Sequence, residues 1–397
     1  MSAPRVAFTL IGGKTWTGGY NYLLNLLRVL AQEAPGALIP VLFAGEDVPE
    51  PELAPFRAVD NCHVVRDAAF DQPARTGMFL RSLVLGRDDA AWTAVEQQRI
   101  DVVFESAIYL GWRLGRPAVA WIPDLQHRLL PHLFGRGAWL KRELGFQAQI
   151  LSGRTVMCSS EDTQRLCERL YPRTGGRVHA VRFAVSTPKS VPDEHARAVA
   201  DSYGLPAEYF FMPNQFWAHK NHRLVLDAIS LLRTEGRNVC VVASGQQLDP
   251  RDRTHVPGLL ANIRGAGLES SFRTPGLLPY ADLAPLMQAS TALLNPSLFE
   301  GWSTTVEEAK AAGVPMLLSD LPVHREQAEG DASFFDPRSA RALADALGGF
   351  RRLATPERAA LRAAAAEKSN KRIRRFAEDF VSLIEHACSS RTGTRKS

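Results

Sequence analysis

A chain of 397 residues with 45% hydrophobic and 22% charged side chains has material for two or three domains with buried cores, which excludes a disordered or fibrous protein. Its net charge is only +5, and the excess lies early: residues 1–190 hold 22 Lys and Arg against 18 Asp and Glu, the rest 25 against 24. That balance gives no reason to expect nucleic-acid binding. It suits an anionic membrane surface or phosphorylated ligands, and equally an ordinary solvated surface.

In chain order, short apolar runs at Val6–Leu10, Leu38–Phe43, Asp101–Glu105, Pro117–Ile122, Thr155–Ser159 and Val178–Val185 read as strands. Helical spacing fills the gaps, as in Tyr20–Ala34. The second half repeats the scheme with strands at Tyr209–Met212, Val239–Ala243, Phe272–Arg273, Ala292–Asn295, Pro315–Ser319 and Phe334–Phe335. Helices are expected at Asn221–Glu235, Tyr280–Ala289 and Thr304–Ala312. Alternating β and α elements predict an α/β protein of two parallel sheets covered by helices on both faces. Ser, Thr, Pro and Lys cluster at Ser186–Pro192, dividing the chain into domains at 1–188 and 189–370, with a C-terminal helix and basic tail at 371–397. Two such domains imply a cleft, with ligands beyond the carboxyl ends of the strands. The five cysteines are scattered and form no C-x-x-C pair, so neither a zinc site nor a disulfide framework is expected. No signal peptide and no apolar run of about 20 residues is visible, which predicts a cytoplasmic protein, soluble or peripheral on a membrane.

The most informative stretch is Asn295–Asp320, which reads as strand, tight loop at Glu300-Gly301, helix, stop at Gly313, and strand. Thr304 with Glu307 fits a capping box, so the helix is expected to start there. Its free amides, beside the Ser303 and Thr304 hydroxyls, make a candidate phosphate site. Glu300 in the loop and Glu308 inside the helix are candidates for a sugar's hydroxyls and a ribose diol. An ordinary pair of helix-start glutamates is the plain alternative.

The spacing Glu300-x7-Glu308, with Gly301 after the first and Gly313-x-Pro315 closing the helix, resembles the signature of family 4 retaining glycosyltransferases, which have the two-Rossmann-domain GT-B fold. The resemblance implies a transferase moving a hexose-type sugar from a nucleotide-diphosphate sugar to a glycan or lipid-linked saccharide, as in cell-surface polysaccharide or lipopolysaccharide synthesis. By it, Glu300 lies against the donor sugar and Glu308 holds the ribose. The amides of Trp302, Ser303, Thr304 and Thr305 would then meet sugar and diphosphate. The family's last helix often crosses back onto the first domain. Anomeric configuration is retained through same-face displacement, in which the leaving diphosphate takes the acceptor's proton.

Three further segments carry the resemblance. In Met212–His222 the family has Arg-x4-Lys; Lys220 matches the lysine, but Gln215 stands in the arginine's place, leaving Asn214, Gln215 or His219 to bond the phosphates. Gly18-Gly19, before the first helix, is similar to the family's N-terminal Gly-Gly facing the diphosphate; a plain turn would look alike. The loop from Gly12 is neither a Walker A loop nor G-x-G-x-x-G. In Trp121–His127, Asp124 matches an aspartate and Pro123 replaces the usual histidine, so His127 either takes its role from a shifted loop or is a surface histidine. His324-Arg325-Glu326 reads as a helix start first and a cleft contact second.

No Asp-x-Asp occurs, and a helix N-terminus with Lys220 can neutralise a diphosphate, so no metal and no cofactor beyond the donor is expected. Arg128–Arg142, where Leu129, Leu133, Phe134, Trp139 and Leu140 interleave with basic residues, is a candidate for peripheral membrane contact or a helix packed on its own domain. Two rivals remain: a sugar-nucleotide 2-epimerase, for which no acid/base set is visible, and a catalytically silent scaffold of the same fold. A dehydrogenase lacks its dinucleotide fingerprint in both halves.

Overall fold

The computed structural model describes residues 3–10, 17–106, 108–186 and 191–389. Their strands form two sheets. The first comprises β1 (Arg5–Thr9), β2 (Ile39–Ala44), β3 (His63–Arg66), β4 (Val102–Ser106), β5 (Ala118–Ile122), β6 (Thr155–Cys158) and β7 (Val178–Ala180), in the order β3-β2-β1-β4-β5-β6-β7. The second comprises β8 (Phe210–Met212), β9 (Val241–Ser244), β10 (Phe272–Gly276), β11 (Ala292–Asn295), β12 (Met316–Ser319) and β13 (Ser333–Phe335), in the order β10-β9-β8-β11-β12-β13. Every pairing is parallel. Most strands are buried along their length, which is why they read as unbroken apolar runs and were legible as strands.

Two compact units result. Residues up to Leu129, Arg136–Ala184 and everything from Arg372 form the first; Leu130–Gly135 and Val185–Lys371 form the second. The domain junction expected at 188/189 lies outside the described residues. The terminal helix Thr355–Ser389 begins in the second unit and ends in the first. There Phe380 packs 5.4 Å from Phe104 and 6.1 Å from Phe8, and Phe376 lies 5.7 Å from Phe183, ring centre to ring centre. Fully burying one such ring contributes roughly 1.5–3 kcal/mol, so this segment is part of the first unit's core rather than an appendage.

In the second unit, neighbouring residues of a strand face opposite layers. Phe210, Met212, Leu294 and Leu317 pack against the helices His222–Thr234 and Ala340–Gly349, while Phe211, Leu293 and Leu318 pack with the helices Tyr280–Ala289 and Thr304–Ala312. The chain winds outward from β8 through β9 to β10, then returns to place β11 on β8's other side. That reversal opens a crevice beyond the carboxyl ends of β8 and β11, where ligands of such sheets bind. Two glycines permit close backbone approaches in this unit, the first of them beside the crevice. Gly245, after β9, has φ +150°, and a Cβ there would sit 2.5 Å from the Asn214 carbonyl oxygen. Gly313 ends the helix Thr304–Ala312 with φ +63°, and its Cβ would fall 2.6 Å from Arg362 Cα.

Two expectations shift. Strand β3 has no counterpart in the apolar pattern, because this edge strand is half exposed and bounded by His63 and Arg66. The first helix runs Thr17–Glu33, starting earlier than its apolar periodicity, so Gly18 and Gly19 stand inside its first turn.

Candidate functional site

The loops leaving β8 and β11 build the site in the second unit. After β8 the chain makes a 3-10 turn, Ala218–Lys220, ended by Asn221 in the left-handed region at φ +61°. Asparagine tolerates that conformation better than most residues. Here its side-chain amide also donates to the carbonyls of Pro296 (3.1 Å) and Pro337 (2.9 Å). The Leu298 amide donates to the His219 carbonyl at 2.8 Å. Buried Asp249 accepts from the Ala218 amide at 2.9 Å and from the Arg251 guanidinium at 3.0 Å. The turn is thus clamped to the β11 loop from both sides.

This clamp places Lys220 Nζ 2.6 Å from Glu300 Oε1, the two side chains being 12% and 8% exposed. Ser297 Oγ donates to the same carboxylate oxygen at 2.7 Å. Burial alone would raise the Glu300 carboxyl, but Lys220, with His324 and His219 beyond it, holds it down at about 2. Glu308 is in the opposite condition. Its half-buried carboxyl has no hydrogen bond or ion pair among the described residues, and burial pushes it up to about 7. Two glutamates eight positions apart are therefore one fixed anion and one group that titrates near neutrality.

The helix Thr304–Ala312 has Ser303 as its N-cap, but that hydroxyl does not cap. It accepts from the Asn295 side-chain amide at 2.9 Å. Nor does Glu307 close a capping box, as the spacing suggested. Its carboxylate faces inward, accepting from Gln327 Nε2 at 2.9 Å and Lys310 Nζ at 3.2 Å, while Lys310 also reaches the Gln327 carbonyl. Gln327 in turn accepts from the Ser303 amide at 3.2 Å. The inward pull of Lys310 and Gln327 outweighs the local cap. It leaves the amides of Thr304, Thr305 and Val306 without an acceptor among the described residues. Free amides at a helix start form an anion site.

Of the other expected donor contacts, Asn214 is buried with its Nδ2 unpartnered among the described residues, and Gln215 Oε1 accepts from the Gln246 amide at 3.0 Å. Gln215 therefore braces the loop after β9. Gly301 is buried, and Trp302 and Thr305 are half-buried, on the same loop and helix start.

The remaining candidates belong to the first unit. Asp124 accepts from Arg142 at 2.7 Å and from the Gln126 amide at 2.8 Å, closing a tight turn. His127 is fully enclosed, with Nε2 3.0 Å from Glu143 Oε2 and Phe146 against its ring. Burial lowers its proton affinity. Glu143 also accepts from Tyr171 at 2.8 Å and Arg128 at 3.3 Å. So His127 is not on the surface, and its ring is held by Glu143. The segment 136–142 is the mostly exposed start of the helix Arg136–Leu151, whose Glu143, Gln149 and Ile150 are buried. Gly18 is exposed and Gly19 buried, while the loop 11–16 before them lies outside the described residues. Among the described residues no group of three or more His, Cys, Asp or Glu side chains could hold a metal ion, and no helix is long and apolar enough to cross a membrane.

Sequence reasoning missed the Asn221 clamp, the Ser297 hydroxyl and the Glu307–Lys310–Gln327 cluster. Each joins loops that only the strand order brings together.

Residues 203–368 match the family model for glycosyl transferases group 1. The matched residues lie within the second unit. A stretch of 131 residues is 21% identical to mannosylfructose-phosphate synthase of Agrobacterium fabrum, covering 32% of this chain and 29% of that protein. The chain thus matches under a third of that relative's length. Among solved structures, a glycosyltransferase of Rickettsia africae superposes with a TM-score of 0.70 at 12% identity, over 98% of this chain and 99% of that one. Anabaena Alr3699/HepE in complex with UDP and glucose gives 0.70 at 14% identity, over 96% and 100%. Two Rossmann-like parallel-sheet units of this kind are the GT-B architecture.

The Glu308 carboxyl gives this site a stability signature. Folding raises it from the ordinary carboxylate range to about 7, so its contribution is fully present below the unfolded value near 4.5 and is lost as pH rises through 7. Glu308→Gln should leave the melting temperature unchanged at pH 4.5 and raise it by about 3–6 °C at pH 8.5. Equal melting of the two proteins at both pH values, by calorimetry, would contradict the burial of this group.

Proposed function

We propose that this protein is a metal-independent retaining glycosyltransferase. It moves a hexose-type sugar from a nucleotide-diphosphate sugar to a glycan or lipid-linked saccharide acceptor in the cytoplasm, in cell-surface polysaccharide or lipopolysaccharide synthesis. The carrying observation is the convergence, at the β8/β11 crevice, of Lys220, Glu300, the free amides of Thr304–Val306 and the uncommitted Glu308.

In this reading Lys220 and the helix amides bind the diphosphate and stabilise the charge it gains as the glycosidic bond breaks. Glu308, as carboxylate, accepts two hydrogen bonds from the ribose diol. Glu300, held ionised, stands against the positive charge that develops on the sugar. The acceptor hydroxyl attacks from the face the diphosphate leaves, and a diphosphate oxygen takes its proton. The Anabaena neighbour's UDP and glucose make UDP-glucose the first donor to test, and the Agrobacterium relative's name adds a mannosyl donor. A second reading, a silent scaffold, is favoured by the bracing role of Gln215 where relatives carry a cation. Donor hydrolysis or transfer excludes it.

Isothermal titration of UDP, GDP, ADP and dTDP in EDTA tests the site. One nucleotide should bind at pH 8, and Glu308→Ala should weaken it at least tenfold. Wild-type affinity should fall about tenfold by pH 6, since only the ionised Glu308 accepts from both ribose hydroxyls. Binding that is independent of pH and of Glu308 would remove its ribose role.

We also propose that the first unit touches an anionic membrane, where a lipid-linked acceptor would lie. Leu140, Leu144 and Leu151 repeat on one face of the helix Arg136–Leu151, and all are exposed. Leu80 and Val84 do the same on the helix Ala74–Val84, whose Phe79 lies beside Gly145. Trp112 is exposed next to Gly86, with Arg113 stacked on it, and Lys141 adds charge. Anionic vesicles should carry the protein upward in flotation and neutral ones should not, with Leu140→Asp/Leu144→Asp staying behind. Flotation unaffected by that double change would rule out this face.

A further inference from the structure

The donor reading leaves His324 without a task. It is the third residue of the helix Pro322–Ala328 and is fully buried. Its Nδ1 lies 2.9 Å from the Ser319 carbonyl oxygen and 3.1 Å from Ser319 Oγ. A carbonyl only accepts, so Nδ1 carries the ring proton and Nε2 carries the lone pair. Ser319 Oγ uses its own proton on the Ser297 carbonyl at 2.7 Å. Nε2 is buried and has no hydrogen-bond partner among the described residues. A buried acceptor left in that state costs stability, so its retention calls for a reason.

The surroundings supply one. Glu300 favours a protonated His324 and Lys220 opposes it, while burial, the largest influence, keeps the ring neutral. In the free protein Glu300 needs no second partner, because Lys220 is 2.6 Å away. An incoming diphosphate, with at least two negative charges, competes for that lysine. A buried carboxylate that loses its only cation is strongly destabilised, which opposes the exchange unless another cation appears.

We propose that His324 is a positioning residue that takes over from Lys220 as the countercharge of Glu300 once a diphosphate has claimed the lysine. One proton passes from solvent to Nε2 as the donor binds, and returns to solvent when the diphosphate leaves and Lys220 swings back. Glu300 then stays ionised and in place while its first partner works elsewhere. The other charged groups nearby are committed: His219 lies 3.3 Å from Arg251, the Glu307–Lys310 pair neutralises itself, and Arg325 is paired outward with Asp320 at 2.5 Å. The proposal rests on the donor reading only for the event that moves Lys220.

The charge exchange is testable without any ligand, by following thermal unfolding of Lys220→Met from pH 6 to 8.5. With the lysine gone and Glu300 unpaired, the proton affinity of His324 should rise, so the protonated ring supports the fold at low pH and that support is lost as pH rises. Destabilisation by Lys220→Met should therefore be small at pH 6 and large at pH 8.5. In Lys220→Met/His324→Asn it should be large at both, and Lys220→Arg should resemble wild type throughout. A pH-independent loss in Lys220→Met would overturn the proposal. So would a histidine NMR titration in which the His324 signal is unmoved by that substitution. If Lys220→Met is too unstable to purify, calorimetry of the bound nucleotide at pH 8, in buffers of different ionisation enthalpy, decides instead. Wild type should take up a proton that His324→Asn does not, and equal uptake would refute the role. Failure of every nucleotide to bind would remove the donor reading and leave the Lys220→Met titration to judge this one.

Discussion

The ion pair between Lys220 and Glu300 is the interaction on which the site depends. Its partners are 80 residues apart and meet only because β8 and β11 are neighbours at the point where the sheet reverses its winding. A buried pair of this kind is a poor source of stability, since removing both charges from water costs nearly what their attraction returns. Its value lies elsewhere. The pair preforms a cation and an anion within 2.6 Å of each other, clamped by Asn221 on one side and Ser297 on the other. A nucleotide-diphosphate sugar carries a negative diphosphate, and positive charge develops on its sugar. Such a ligand can draw Lys220 onto its diphosphate, and the ionised Glu300 then faces the sugar.

The second constraint is the contrast between the two glutamates. Glu300 is held at about 2 by nearby cations despite its burial, and burial raises Glu308 to about 7. Pairs of carboxyls pushed apart in this way commonly divide a task. Here one is a permanent anion and the other an acceptor whose readiness depends on pH. Burying Glu308 without a partner among the described residues costs stability at neutral pH. The helix start shows the same economy: Lys310 and Gln327 draw Glu307 and the Ser303 backbone inward, and the next amides stay open.

Much of this was readable before the structure. Strands buried on both faces announce themselves as apolar runs, so β4, β5, β11 and β12 were located to within a residue or so. Edge strand β3 was not, because one exposed side and polar ends erase the signal. The loop, helix and stop around Glu300, Glu308 and Gly313 were legible because their punctuation is local. Long-range choices were hidden. Nothing near Thr304 says that Glu307 will turn to Gln327 instead of capping, and nothing near His127 says that Glu143 will enclose it. His324 looked like a helix start, which it nearly is; only the folded core reveals a ring with one bare nitrogen beside the ion pair.

A crystal structure of the protein with a bound nucleoside diphosphate tests the central claim most directly. The account predicts Lys220 Nζ within hydrogen-bond distance of a phosphate oxygen and withdrawn from Glu300, with the phosphate over the Thr304–Val306 amides and the ribose on Glu308. A diphosphate bound elsewhere, with the Lys220–Glu300 pair intact, would contradict it.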